Sequence, residues 1–172
     1  MRKCVIISIL LIASLVLLGP GTPTLADAES DAKTDRAVLK AVVHSAATGL
    51  SAIAVKKNGK YNAEMLRKYV NAVRFFDDES GYFFIYNYTN NYNVAIATMK
   101  DWPGTDKTNH QDSHGTFIIQ ELSKLAKSPA AGGFFEYYFN NPVSKRDEKK
   151  ISYIEVIPGT TLYIGAGVYL KE

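Results

Sequence analysis

The sequence predicts an α+β fold, a long N-terminal helix and a second helix packed on a five-stranded antiparallel sheet, and three observations carry that prediction. Apolar residues recur at helical spacing up to Phe76, whereas from Gly81 onward they run mostly in strand-length blocks opened or broken by glycine. Every Phe, Trp and Tyr except Tyr61 and Tyr69 lies between Phe75 and Tyr169, so ring surface sufficient for both a core and a pocket is concentrated on the sheet. Turn dipeptides join neighbouring blocks and no parallel crossover unit intervenes, which excludes a doubly wound α/β arrangement.

The first residues stand outside this fold. Arg2-Lys3, an apolar run from Cys4 to Gly19 and then Pro20-Gly-Thr-Pro-Thr-Leu-Ala26 have the layout of a secretory signal, cleaved after Ala26 or Ala28. Residues 1–26 are therefore expected to direct export to the periplasm or the exterior. An uncleaved N-terminal membrane anchor is the alternative, against which the run is short for a span of about 20 apolar residues. The only cysteine, Cys4, precedes the apolar run, so the mature chain has no thiol. That excludes disulfides, thiolate catalysis and cysteine-ligated metals. About 145 residues remain, enough for one domain with a sound core. Removing Arg2 and Lys3 leaves 18 basic against 17 acidic residues, a net charge of +1 where the full chain carries +3. No nucleic-acid partner is expected from such a balance, and the interrupted cluster Lys145-Arg146 with Lys149-Lys150 suits a charged turn better than a polyanion patch.

In chain order, Leu39, Val43, Ala46, Leu50 and Ile53 predict one amphipathic helix over roughly 30–56, within a segment reaching to residue 60. Asn58-Gly59 stops it. Asn62 then caps a second helix in which Leu66, Val70 and Val73 form one stripe, with Met65, Tyr69, Ala72 and Phe76 beside it. Strand blocks follow at 82–88, 92–99, 133–139, 150–157 and 161–169. Asn90-Asn91 and Pro158-Gly159 turn the first two blocks and the last two into hairpins. Between the second and third strands, a polar stretch from Lys100 to Gly115 leads into helical spacing at Ile118, Leu122 and Leu125. A long insertion of this kind is where a small domain places a binding loop.

Strand alternation puts Tyr82, Phe84, Tyr86 and Tyr88 on one face and the all-apolar Phe83 and Ile85 on the other, the helix side. Tyrosine hydroxyls above an apolar floor suit a pocket for a small polar molecule, although any single ring can equally be core filling. On the third strand Phe134 and Tyr138 alternate with Phe135, Tyr137 and Phe139, and the sequence leaves open which set faces the ligand. Trp102, ahead of Pro103-Gly104, either closes a pocket or pins the loop. His110 and His114 flank Asp112, but a loop setting and the lack of a third ligand argue against a metal, and a hydrogen bond from one imidazole, His110, to ligand or loop is expected instead. No activated nucleophile, phosphate loop or metal set is evident, so neither catalysis nor a cofactor is expected.

Several blocks together resemble a known family. Arg74-Phe-Phe, Gly81-Tyr-Phe-Phe-Ile-Tyr-Asn87, Gly104 ahead of Asp112-Ser-His-Gly115, Gly133-Phe-Phe-Glu-Tyr-Tyr-Phe-Asn-Asn-Pro142, Lys150-Ile-Ser-Tyr153 and Ile164-Gly-Ala-Gly-Val-Tyr169 are similar, in this order and spacing, to a single Cache domain of type 2. That is the extracytoplasmic sensor module of bacterial chemoreceptors and sensor kinases, and the similarity runs over 35–172. The resemblance implies a PAS-like sheet on a long N-terminal helix, with a small organic ligand, often a short carboxylate, held between sheet and loops. It suggests Arg74 or Lys150 as the charge partner of a carboxylate, the arginine through its planar fork and the lysine as a point charge. Each has a structural alternative: Arg74 as a cation at a helix C-terminus, Lys150 as a solvated residue of a charged turn. Many members carry a ligand-facing histidine after the second strand, where Thr98-Met99 stands here, so Met99 takes that place.

The expected function is thus extracytoplasmic small-molecule sensing in chemotaxis or related signal transduction. The ligand-binding candidates are Arg74, Phe84, Tyr86, Tyr88, Met99, Trp102, His110, Tyr138 and Lys150. Most members continue into a membrane span and an output module, whereas this sequence ends at Glu172, and so a separate membrane receptor or sensor kinase is expected to carry the signal. A homodimer through the long helix is a further expectation. The alternative is a ligand-free interaction module that docks on such a receptor or kinase.

Overall fold

The computed structural model describes residues 25–56 and 58–170, so the expected signal segment, up to residue 24, lies outside the described residues. Three helices and six strands follow one another: α1 (Leu25–Ala54), α2 (Ala63–Ala72), β1 (Arg74–Phe75), β2 (Gly81–Asn87), β3 (Asn93–Ile96), α3 (Ile118–Lys127), β4 (Gly132–Asn140), β5 (Asp147–Val156) and β6 (Leu162–Tyr169). The strands form one antiparallel sheet in the order β1-β2-β6-β5-β4, with β3 also paired to β2. All five expected strands are present. The sixth, β1, consists of Arg74 and Phe75 and was hidden because Val73-Arg74-Phe75-Phe76 continues the helical spacing of α2.

Local signals account for the boundaries. The Asn62 side chain accepts a hydrogen bond from Met65 N–H at 3.1 Å, which satisfies one of the free amides at the start of α2. The β2–β3 turn places Asn91 at φ 59°, and the β5–β6 turn places Gly159 at φ 78°, both left-handed conformations that these residue types adopt at little cost.

The sheet separates two layers. On one side α1 and α2 bury Leu39, Val43, Ala46, Ala47, Leu50, Leu66 and Val70 against Phe83, Ile85, Ile151, Ile164 and Ala166. Each fully buried aliphatic side chain there contributes about 2 kcal/mol. Ile53, expected in the stripe, instead lies on the outer side of α1 at 64% exposure. The stripe continues from Leu50 through Ala54, four residues on, because a 3.6-residue period carries position 53 out of the line. Lys33–Ala54 is also long and apolar enough to cross a membrane by length and composition, but its apolar stripe is packed on the sheet. His44, whose side chain is 66% exposed, bonds Glu155 through Nδ1 at 2.9 Å, and Ser51 donates to Pro158 O, so polar pins join α1 to the β5–β6 end of the sheet. The second layer, α3 and the loop before it, covers the opposite face.

Candidate ligand-binding site

The alternation expected for β2 is observed: Phe83 and Ile85 enter the helix-side core, while Tyr82, Phe84 and Tyr86 enter a second cluster under α3, with Tyr88 packed at its margin. Register extends this face across the sheet. Tyr86 lies opposite Tyr163 on β6 with stacked rings 5.8 Å apart, and Lys150 on β5 lies between Tyr137 of β4 and Tyr169 of β6. Gly165 and Gly167 keep β6 low beneath these rings. A Cβ at Gly165 would stand 2.5 Å from the Phe84 ring, and one at Gly167 would stand 2.6 Å from Lys150 Cε. The two glycines are therefore the space that Phe84 and the lysine stem occupy.

Tyr82, Phe84, Tyr86, Ile96, Tyr137 and Phe139, closed over by Ile118, Ile119 and Leu122 of α3, line a central cavity of about 10 Å³. This corrects the expectation of a pocket with room for a small polar molecule: the side chains leave space for a single water at most. Rings from β2 and β4 meet apolar side chains from α3, and their combined volume fills the space between sheet and helix.

Beside this filled centre sits an unusual cation. Lys150 is fully buried, and its Nζ has no hydrogen-bond partner of regular geometry. It faces three rings instead, those of Tyr82 at 3.9 Å, Tyr169 at 4.7 Å and Phe139 at 5.6 Å. Burial pulls the Lys150 pKa below its ordinary value, while the Tyr82 phenol opposes that shift. Burial alone would push the Tyr82 phenol up, but the Lys150 charge and the surrounding hydrogen bonds outweigh it and hold that pKa below its usual value. Around the ammonium, Tyr82 and Tyr169 share a hydroxyl contact at 3.2 Å, Tyr169 donates to Asn140 O at 2.8 Å, and Thr98 Oγ1 is buried without a regular partner. At the other end of the cluster Tyr163 OH and Asn93 Oδ1 are likewise buried and unpaired. Burial holds the phenols of Tyr86, Tyr137, Tyr163 and Tyr169 above their usual range, so they remain neutral donors. Chemically, the arrangement offers one cation and several hydroxyls to an anion, with apolar walls for whatever the anion is attached to.

Of the sequence-predicted site residues, Phe84, Tyr86 and Lys150 come together here, and Tyr88, Met99 and Trp102 pack at the margin. Trp102 stands edge-on to His110 at 4.7 Å and to Phe139 at 6.0 Å, with Lys107 Nζ 4.5 Å over its ring. Burial, aided by Lys107, lowers the His110 pKa and favours the neutral imidazole. Two candidates are placed elsewhere. Arg74 points Nη1 at the carbonyls of Val70, Asn71 and Val73 and Nη2 at Ala97 O, so its fork closes the end of α2 and fastens it to the chain after β3. Tyr138 lies on the other face of β4, stacked on His114 at 4.0 Å, because the odd-numbered residues Phe135, Tyr137 and Phe139 are the ones that turn toward the cluster. The same parity puts His110, against Phe139, and His114, against Tyr138, on opposite sides of β4. Alternation alone had left Tyr137 and Phe139 undecided. Tyr169 was signalled only by its place two residues after Gly167.

The loop is tied to β4 by Asp112, which accepts from the backbone N–H groups of His114, Thr116 and Tyr138 at 3.0, 2.8 and 3.2 Å. Partial burial raises its pKa, but these donors outweigh that effect and hold it below the ordinary 3.8. A carboxylate whose folded pKa is depressed contributes stability above its unfolded value and loses that contribution as pH falls through the folded one. Denaturation measured from pH 7 down to about pH 2 should therefore show an acid loss of stability that Asp112→Asn diminishes.

A family model for the Cache domain matches residues 31–172. Solved structures with the same architecture include a methyl-accepting chemotaxis protein from Vibrio parahaemolyticus RIMD 2210633, 24% identical with a TM-score of 0.69 over 84% of this chain and 94% of that one. A Cache chemosensory domain whose structure explains carboxylic acid recognition is 21% identical with a TM-score of 0.64, over 86% of this chain and 99% of that one. The periplasmic sensor domain of a chemotaxis protein is 23% identical with a TM-score of 0.64, over 81% and 97%. At these identities the likeness establishes the architecture.

Proposed function

This chain belongs to the Cache domain family, and from that premise we propose that it is an extracytoplasmic sensor domain for a small organic acid, acting through a separate membrane receptor or sensor kinase. The observation that carries this reading is Lys150, a fully buried amine that has, among the described residues, no carboxylate beside it and no hydrogen-bond partner of regular geometry, and whose nearest polar contact is the Tyr82 phenol. Removing such a charge from water costs several kcal/mol, and the three cation–π contacts, each about 2 kcal/mol or more when desolvated, offset that cost without supplying a counter-charge. A carboxylate seated on Nζ would supply the missing counter-charge, and the Tyr82 phenol, now in hydroxyl contact with Tyr169, would turn to donate to it. The carboxylic acid recognised by the structurally similar Cache chemosensory domain supports the same ligand class.

In this reading Arg74 is a structural cap and Lys150 takes the ionic role alone. Phe84, Tyr86, Tyr88, Met99 and Trp102 shape the walls, His110 steadies Trp102, and Tyr138 serves the loop. The site performs no reaction and needs no cofactor. Export by a signal over residues 1–26, and dimerisation through the outer side of α1, where Val38 and Ile53 are exposed, belong to the same proposal.

The cavity of about 10 Å³ favours a second reading, a ligand-free module that docks on a receptor or kinase. Thermal melting separates the two. A ligand that binds only the folded state adds about 2.7 kcal/mol of stability at a hundredfold excess over its dissociation constant. Among acetate, propionate, pyruvate, lactate and amino acids, at least one short carboxylate should raise the melting temperature by several degrees. Unchanged melting across the panel would leave the docking module as the better account.

A further inference from the structure

Ligand access raises a separate question, since the aromatic cluster is closed and any small acid must pass a wall to reach Lys150. A second and larger cavity, of about 320 Å³, opens at the β3 edge of the sheet between α2 and the following loop. Its walls are Arg67, Asn71, Ala95, Ile96, Lys100 and Pro103, two cations and no carboxylate. Ile96 is the one residue it shares with the lining of the closed central cavity. The side chain is 5% exposed and sits opposite Phe84 in the register of β3 with β2.

The wall at this point is also a short edge of the sheet. β3 is four residues long, against nine and ten in β4 and β5, and its pairing with β2 is interrupted by a bulge at Ile85/Tyr86. On its outer side Arg67 Nε donates to Val94 O at 3.1 Å and Arg74 Nη2 to Ala97 O at 3.4 Å, and beyond Asn93, which bonds the backbone of Gly104 and Thr105, no strand continues the edge among the described residues. A short, interrupted edge element fastened by a few part-buried side-chain bonds opens at lower free energy than the central strands.

Resting on the sensing function proposed above, we propose that the Arg67–Lys100 cleft is the entrance through which a small organic anion reaches the buried Lys150, with Ile96 as its gate. The two cations raise the local concentration of anions at the mouth, and outward movement of Ile96 with the end of β3 opens the passage. Pro103 stiffens the far wall.

Stopped-flow binding of propionate, followed by fluorescence of the single tryptophan, tests this. Lys100→Glu combined with Arg67→Gln should lower the association rate constant about tenfold at low ionic strength, with the difference shrinking at high salt and the dissociation rate constant unchanged. Ile96→Ala should speed both association and dissociation, and an unchanged association rate constant would remove Ile96 as the gate. Equal association rates in wild type and the double variant, or an effect confined to dissociation, would overturn the entrance while leaving the sensing function intact. If wild type binds none of the short carboxylates in the melting panel, the sensing function fails and the entrance falls with it. A Lys150→Met protein that still binds propionate with wild-type rates would place the anion elsewhere and overturn the route to Lys150.

Discussion

Lys150→Met is expected to abolish carboxylate binding and, in the same protein, to raise the melting temperature of the ligand-free state. The two effects share one cause. Methionine keeps much of the apolar stem that lies over Gly167 and against Tyr82 and Tyr169, and it removes an amine that burial has stripped of water without a counter-charge or a hydrogen-bond partner of regular geometry among the described residues. Replacing buried ionic groups by well-packed apolar side chains of similar volume is often neutral or stabilising by about 1 to 4 kcal/mol, and for this counter-charge-free lysine a gain of a few degrees is expected. A lysine merely solvated at a charged turn would give neither effect. Thermal melting of both proteins, with and without propionate, reads both at once, and unchanged stability together with retained binding would remove Lys150 from the site.

Leu122→Ala should produce the largest loss of stability tied to the ligand-side layer, about 2 to 5 kcal/mol in urea denaturation. Leu122 is 1% exposed and stands on α3 among the residues that close the central cavity. Truncating it removes three carbons from a packed apolar wall that has little freedom to collapse, because α3 is held by Ile118 and Ile119 on the same face and by Ser123, whose hydroxyl donates to Asn91 Oδ1 at 2.7 Å. Under the proposed binding mode the space gained adjoins the ligand's carbon chain. Stabilisation by added acid should therefore shift toward longer chains, with butyrate or hexanoate recovering more of the lost stability than acetate. If the variant keeps the wild-type order of ligands, α3 does not contact them.

Much of this architecture was legible because period and parity are properties of the chain itself. The change from helical to strand spacing at Gly81 set the layer order, and the parity of Tyr82, Phe84 and Tyr86 against Phe83 and Ile85 assigned the two faces of β2. β4 resisted the same reasoning because it carries aromatic residues at both parities, so only its pairing with β5 shows that Phe135, Tyr137 and Phe139 turn inward. Ile53 misled for a related reason: positions 53 and 54 are both apolar, and the continuous helical period selects the smaller one. Lys150 was ambiguous because Lys149 and Glu148 beside it belong to the solvated end of the hairpin, while its own burial depends on glycines far along the chain in β6. Arg74 was read as an ionic candidate because its four carbonyl partners come from the end of α2 and the segment after β3, which only the fold brings together. The near-complete filling of the cluster depends on how rings and aliphatic chains interlock, a sum of volumes that no spacing pattern records.

The account rests on a buried cation that waits for an anion inside a closed aromatic cluster, and a crystal structure of the protein grown with propionate tests it most directly. The predicted result has a carboxylate oxygen within about 3 Å of Lys150 Nζ, hydroxyl donors from Tyr82 or Tyr169 on the same group, and α3 or β3 displaced to admit the carbon chain. A structure with propionate bound elsewhere, and Lys150 still enclosed by the Tyr82, Phe139 and Tyr169 rings over an unopened cavity, would contradict it.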